Sequence, residues 1–256
     1  MTTLNFKARV PVFDANVRVG DRPEEVSPCR IRNDLLIEMD RHGVERALIY
    51  HAQGEHRSPI DGNEDLEMWV GNDGRLHPLW SVLASDPSLS QIKNLYAKGK
   101  VNCARLHIHD TIHQLGLIFK PWAYNSLLTW FSENNIPLWI SLLETENEDI
   151  VTTLQDYPNL VTVIIGAHYR HSLWVRPAMR ALPNAYLELS RYEPLGEIEA
   201  LRNEFGVERL IYGSYYSRFI MGPMLFYLHH TNLSDDELKL VCSGNLERIL
   251  ANAGES

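Results

Sequence analysis

The sequence predicts a single-domain (β/α)8 barrel, α/β in class, with an extra C-terminal helix, spanning residues 1–256. Three observations predict it. Apolar runs rich in Val, Ile, Leu and aromatics alternate eight times with segments of helical spacing, which implies parallel βα units. The chain's 256 residues match the roughly 250 typical of such a barrel. Gly, Pro and Ser are scattered as single breaks, so no linker divides the chain.

The elements follow in order. Residues 10–14 read as a first strand, and 31–42 as a helix with Leu35, Leu36 and Met39 on one face and Gly43 as its stop. Residues 47–51 form a second strand, 65–71 a helix and 76–83 a third strand. A helix over 89–97 ends at Gly99 and leads to a fourth strand at 101–107. The helix 122–134 precedes a fifth strand, 137–143, and the helix 148–156 a sixth, 160–167. A helix at 173–181, a strand at 185–189, a helix at 198–205 and a strand at 209–212 complete the barrel. Helices at 224–230 and 235–250 form the tail, the second opened by a capping box from Ser234 to Glu237.

Composition removes several functions. Hydrophobic residues make up 45% of the chain, enough to order a core and exclude a disordered tail. With 24 Lys+Arg against 33 Asp+Glu the net charge is −9, which argues against nucleic-acid binding. No apolar run is long enough for a membrane span. Neither GxGxxG nor a P-loop is present. Cys29, Cys103 and Cys242 lie far apart and form no metal or disulfide pattern, so a reducing cytoplasm is the expected location.

Eight segments carry a family resemblance: VFDANVRVG, LLIEMDRHGVERALIY, RLHPLWSVLASDP, IPLWISLLE, VTVIIGAHYRH, NAYLELS, VERLIYGSYYS and LSDDELKLVCSGNLERIL. In this order, the chain resembles the amidohydrolase superfamily, in the branch that includes aminocarboxymuconate semialdehyde decarboxylase and barrel lactone hydrolases. The resemblance implies a TIM barrel and a metal-dependent hydrolase or decarboxylase. It also implies a metal-binding Asp-x-His-x-His on the first strand, where this chain has Asp14-Ala15-Asn16-Val17-Arg18. Ser141 stands at the family's fifth-strand histidine and Tyr215 at its eighth-strand aspartate, while His168 matches a frequently catalytic sixth-strand histidine. A guanidinium has no lone pair to give a metal and stays protonated. The expectation is therefore a degenerate site with no metal and no other cofactor.

Strand alternation places Arg105, His107 and His109 on one face, and Asn16 and Arg18 on another. Together with Ser141, Arg170, Glu188 and Tyr215 they form the candidate binding set, and His168 and His107 are the candidate acid–base pair. Arg18 either supplies the positive charge for a small anionic ligand or sits in a structural salt bridge with a carboxylate such as Glu188. Three functions remain open: a metal-independent hydrolase or decarboxylase acting on a small acid, ester or lactone; a binding or scaffold protein without chemistry; and a hydrolase with a relocated metal site of His107, His109 and His168, with Glu188. The resemblance also implies a homodimer, with the aromatic stretch 219–227 as a candidate interface; packing on the barrel explains the same residues without a partner.

Overall fold

A computed structural model describes residues 6–22, 26–108 and 118–254. Parallel strands β1 (Phe13–Val19), β2 (Arg46–His51) and β3 (Leu76–Pro78) pair in sequence. A second run joins β4 (Trp80–Val82), β5 (Ala104–Leu106), β6 (Leu138–Ser141), β7 (Thr162–Ile165), β8 (Ala185–Glu188) and β9 (Leu210–Ile211). Strands β3 and β4 are one barrel staff. Its first half pairs with β2 and its second with β5, with Leu79 N–H donating to the Ile49 carbonyl at 2.8 Å between them. The barrel closes where Ala15 N–H donates to the Tyr212 carbonyl at 3.2 Å and Val17 bridges Tyr216.

The first strand lies later than the apolar run at 10–14 predicts. It continues through Asp14, Asn16 and Arg18, all buried. Their polarity reads as a strand end in sequence, yet each finds a partner inside the barrel. A register shift between Asp14 and Val17 marks a bulge, which re-aims side chains beside functional sites.

Helices α1 (Arg32–His42), α2 (Ala52–His56), α3 (Pro59–Val70), α4 (Asp86–Ala97), α5 (Pro121–Glu133), α6 (Asn147–Leu154), α7 (Ser172–Ala181) and α8 (Glu197–Phe205) follow the strands. The short α2 was not expected, and α3 starts earlier than predicted. Ser58 accepts from Asp61 N–H at 3.3 Å and Pro59 takes the first helical position, so the Ser-Pro pair sets that start.

Alternation sorts the core. Phe13, Leu48, Tyr50, Trp139, Val163 and Ile211 fill the barrel, whereas Val17, Ile49, Leu138, Ile140 and Leu187 face the helices. After α9 (Gly222–Leu228), the tail runs through α10 (Asp235–Lys239), a π-helical turn at Leu240–Gly244, and α11 (Asn245–Ala251). Leu246 and Ile249 join the barrel-filling cluster, and Asn245 Nδ2 donates to the Val207 and Leu210 carbonyls, so α11 stoppers the end opposite the strand exits. Within 219–227, Met221, Met224 and Leu225 are buried in the chain's own core, leaving Ile220 and Phe226 exposed.

The expected capping box at Ser234 is present. Ser234 accepts from Glu237 N–H at 3.2 Å, and Glu237 accepts from Ser234 N–H at 2.7 Å. Ser234→Ala is expected to cost about 1 kcal/mol, read from urea unfolding; an unchanged midpoint would remove the cap from the stability of the tail.

Candidate active site

The strand exits surround a cavity of about 250 Å³, smaller than the roughly 300–1,000 Å³ of pockets for drug-sized ligands. Its walls include Glu55 and His56 of α2, His107 beyond β5, Glu144 beyond β6, Tyr215 beyond β9, and the arginines Arg22, Arg57 and Arg218. Among the described residues none of these three arginines has a carboxylate within ion-pair distance.

Beneath this cavity lies Arg105, fully buried. Its guanidinium is 4.2 Å from the Tyr50 ring centre and 5.6 Å from that of Tyr215. It donates to Asn16 Oδ1 at 3.1 Å, Glu144 Oε1 at 3.2 Å and the Tyr215 hydroxyl at 3.4 Å, with Glu55 Oε1 at 3.8 Å. Arg18, also buried, pairs with Glu55 Oε2 at 3.6 Å and donates to Ser217 Oγ at 3.4 Å. The expected ion pair of Arg18 thus exists, but Glu55 and not Glu188 is its carboxylate. Arg18 does not line the cavity, whereas Arg22, Arg57 and Arg218 do.

Two carboxyls share these cations unequally. Burial alone would raise the Glu55 pKa, but His56 at 3.4 Å and the charges of Arg105, His107 and Arg22 outweigh it and hold Glu55 well below the usual carboxylate range. Glu144 goes the other way. Burial pushes it up to about 7; the Glu55 charge adds to this, against Arg105 and a 2.8 Å hydrogen bond from Ile108 N–H. Neighbouring carboxyls driven apart in this way are suited to separate acid and base roles. Sequence reading missed both.

Tyr215 adopts a left-handed backbone conformation at φ 54°, which is costly for a residue with a Cβ. Its carbonyl accepts from Arg218 and Phe219 N–H, fixing the ring over Arg105.

Other expected site residues sit elsewhere. His168 does not line the cavity; it caps the 3-10 turn Tyr169–His171, its Nδ1 accepting from Arg170 N–H at 3.4 Å and its ring 4.0 Å from Tyr169. Arg170 is exposed beside the Tyr169 hydroxyl. Ser141 is buried and accepts from Leu143 N–H at 3.2 Å, shaping the turn that leads to Glu144. Glu188 accepts from Ser190 N–H and Oγ, both at 2.9 Å. His109 lies outside the described residues.

Glu188 and Asp14 form a second buried acidic pair. Burial raises Asp14 to about 6 against hydrogen bonds from Ser214 and Asn16, and burial with the Asp14 charge raises Glu188 to about 7. Both folded pKa values exceed their ordinary values of 3.8 and 4.5, so the folded chain holds more protons between about pH 4 and 7. Stability contributed by this pair therefore falls as pH rises through that window. An Asp14→Asn/Glu188→Gln variant should lose less melting temperature than the parent between about pH 5 and 8; equal losses would contradict it.

At the positions where the resemblance implies metal ligands, the donor set does not fit a divalent ion. Arg18 and Arg105 carry no lone pairs, their charges repel a cation, and the nearby Asn16, Ser141 and Tyr215 are poor or uncommon ligands. Among the described residues no group of three His, Cys, Asp or Glu side chains could hold a metal. Of the relocated set, His109 lies outside the described residues, and the other three are hydrogen-bonded to separate partners: His107 to Ser81, His168 to Arg170 and Glu188 to Ser190.

No family model and no curated protein matches the chain. Solved structures do. A TIM-barrel protein, Bb4693, from Bordetella bronchiseptica aligns over 96% of this chain and 100% of its own, at 18% identity and a TM-score of 0.75. A 5-carboxyvanillate decarboxylase from Novosphingobium aromaticivorans, complexed with manganese and a nitrobenzoic acid, aligns over 98% and 100% at 12% identity and a TM-score of 0.73. The 2,6-dihydroxybenzoate decarboxylase from Rhizobium aligns over 94% and 99% at 13% identity and a TM-score of 0.72.

Proposed function

We propose that the chain, which shares the TIM-barrel fold of these decarboxylases, is a metal-independent hydrolase or decarboxylase of the amidohydrolase superfamily, acting on a small anionic acid, ester or lactone. The observation that carries this reading is Glu144: a buried carboxyl with a pKa near 7 that lines a cavity rimmed by three arginines. Arg22, Arg57 and Arg218 would hold the anionic part of the ligand. Arg105 stays beneath the floor as the fixed positive charge and orients Glu144 and Tyr215.

Protonated Glu144 suits decarboxylation. It would give its proton to the carbon that loses CO2, the C–C electron pair forming the new C–H bond, and then recover a proton from water. Ionised Glu144 suits hydrolysis, taking a proton from water as the oxygen attacks an acyl carbon. The fold relatives' acids favour the first.

The test offers the purified chain 2,6-dihydroxybenzoate, 5-carboxyvanillate and a set of simple lactones. Calorimetry and CO2 release are followed with and without chelator. Saturable binding with chelator-insensitive turnover of one acid is expected. Binding without turnover would favour the ligand-binding alternative, and turnover abolished by chelator would overturn metal independence.

A further inference from the structure

We infer that Glu144 fixes His107 in the tautomer with its proton on Nδ1, that the Ser81 hydroxyl donates to Nε2, and that Asn63 holds Ser81 in place. This rests on the acid–base reading of the cavity. His107 is buried, with Nε2 3.1 Å from Ser81 Oγ and Nδ1 3.9 Å from Glu144 Oε1. An N–H facing that carboxyl is attracted to it, whereas a bare nitrogen lone pair is repelled by its ionised form. With the proton on Nδ1, Nε2 must accept, and the Ser81 hydroxyl must donate. Among the described residues, His107 is the hydroxyl's hydrogen-bond partner.

Ser81 cannot drift. Asn63, buried in α3, accepts from Ser81 N–H at 2.8 Å and donates to the Ser81 carbonyl at 2.8 Å. Its Nδ2 also donates to Gln91 Oε1 at 2.8 Å, and Gln91 Nε2 donates to the Ile60 carbonyl at 3.0 Å, tying α4 to α3. Gly54 leaves the room for this approach: a Cβ there would lie 2.4 Å from Ser81 Oγ. A line of polar contacts thus runs from half-buried Gln91 through Asn63 and Ser81 to His107, ending at Glu144.

The experiment is long-range 1H–15N NMR of the imidazoles in the full chain at alkaline pH, where imidazoles are neutral. The His107 signal is identified by its loss in His107→Gln. The expected spectrum shows His107 protonated on Nδ1. Glu144→Leu, which removes the charge facing Nδ1, should shift the proton wholly or partly to Nε2, where the Ser81 hydroxyl can accept it; Ser81→Ala should leave it on Nδ1. A wild-type His107 protonated on Nε2, or a tautomer unchanged in Glu144→Leu, would overturn the inference. If Glu144→Leu does not fold, the wild-type spectrum alone decides. The readout needs no turnover, so absent catalysis would sink the acid–base reading while leaving the tautomer assignment standing.

Discussion

Arg105→Met is expected to destabilise the chain by about 3–5 kcal/mol, because it strands Glu55 and Glu144 in a buried site without their shared cation. The aliphatic stem keeps most of the packing between Tyr50 and Tyr215, so the loss reports charge more than volume. Its pH dependence has a definite sign. A protonated carboxyl needs no counter-charge, so the deficit should be largest near neutrality and shrink as pH falls through the carboxyl range. Urea unfolding of both proteins across that range measures it. A deficit independent of pH would mean that Arg105 acts through shape alone. Arg105→Lys should recover part of the loss, since an ammonium supplies charge but cannot reach Asn16, Glu144 and Tyr215 with one planar fork.

The second large effect is on rate. Glu144→Gln should lower kcat by about 10²- to 10⁴-fold, the usual weight of a positioned acid–base group. The amide keeps the side chain's shape and can still accept from either Arg105 or Ile108, though not from both, and the cavity arginines are untouched, so ligand binding should persist. In the parent, a decarboxylation driven by protonated Glu144 should decline above about pH 7, as burial gives up the proton there. Steady-state rates on an acid turned over by the parent, with calorimetric affinity measured in parallel, separate the two effects. An unaltered kcat would remove Glu144 from the chemistry.

The order of strands and helices was legible because each barrel strand carries its own apolar run and each helix its own stripe. Polar residues on barrel staves blurred the boundaries: Asp14, Asn16 and Arg18 look like the end of a strand and are in fact its middle. The centre of the site was half legible. Arg105, His107 and Tyr215 could be placed at the mouth by alternation and by resemblance. Glu55 and Glu144 could not, because one lies in the single-turn helix α2 and the other in the bend beyond β6, both too short for a periodicity to mark direction. One signal does point to them. Two inward arginines, Arg18 and Arg105, demand buried carboxylates, and acidic residues following strand exits are the nearest supply. The resemblance drew attention to His168 because it matches by position in sequence; its ring is spent on capping a turn.

Elemental analysis most directly tests the replacement of a divalent ion by a caged guanidinium. The chain would be purified without chelator, equilibrated with excess manganese, the ion named with one fold relative, and then desalted. The predicted result is no stoichiometric manganese. One manganese ion retained per chain, and lost in Glu144→Gln, would contradict it.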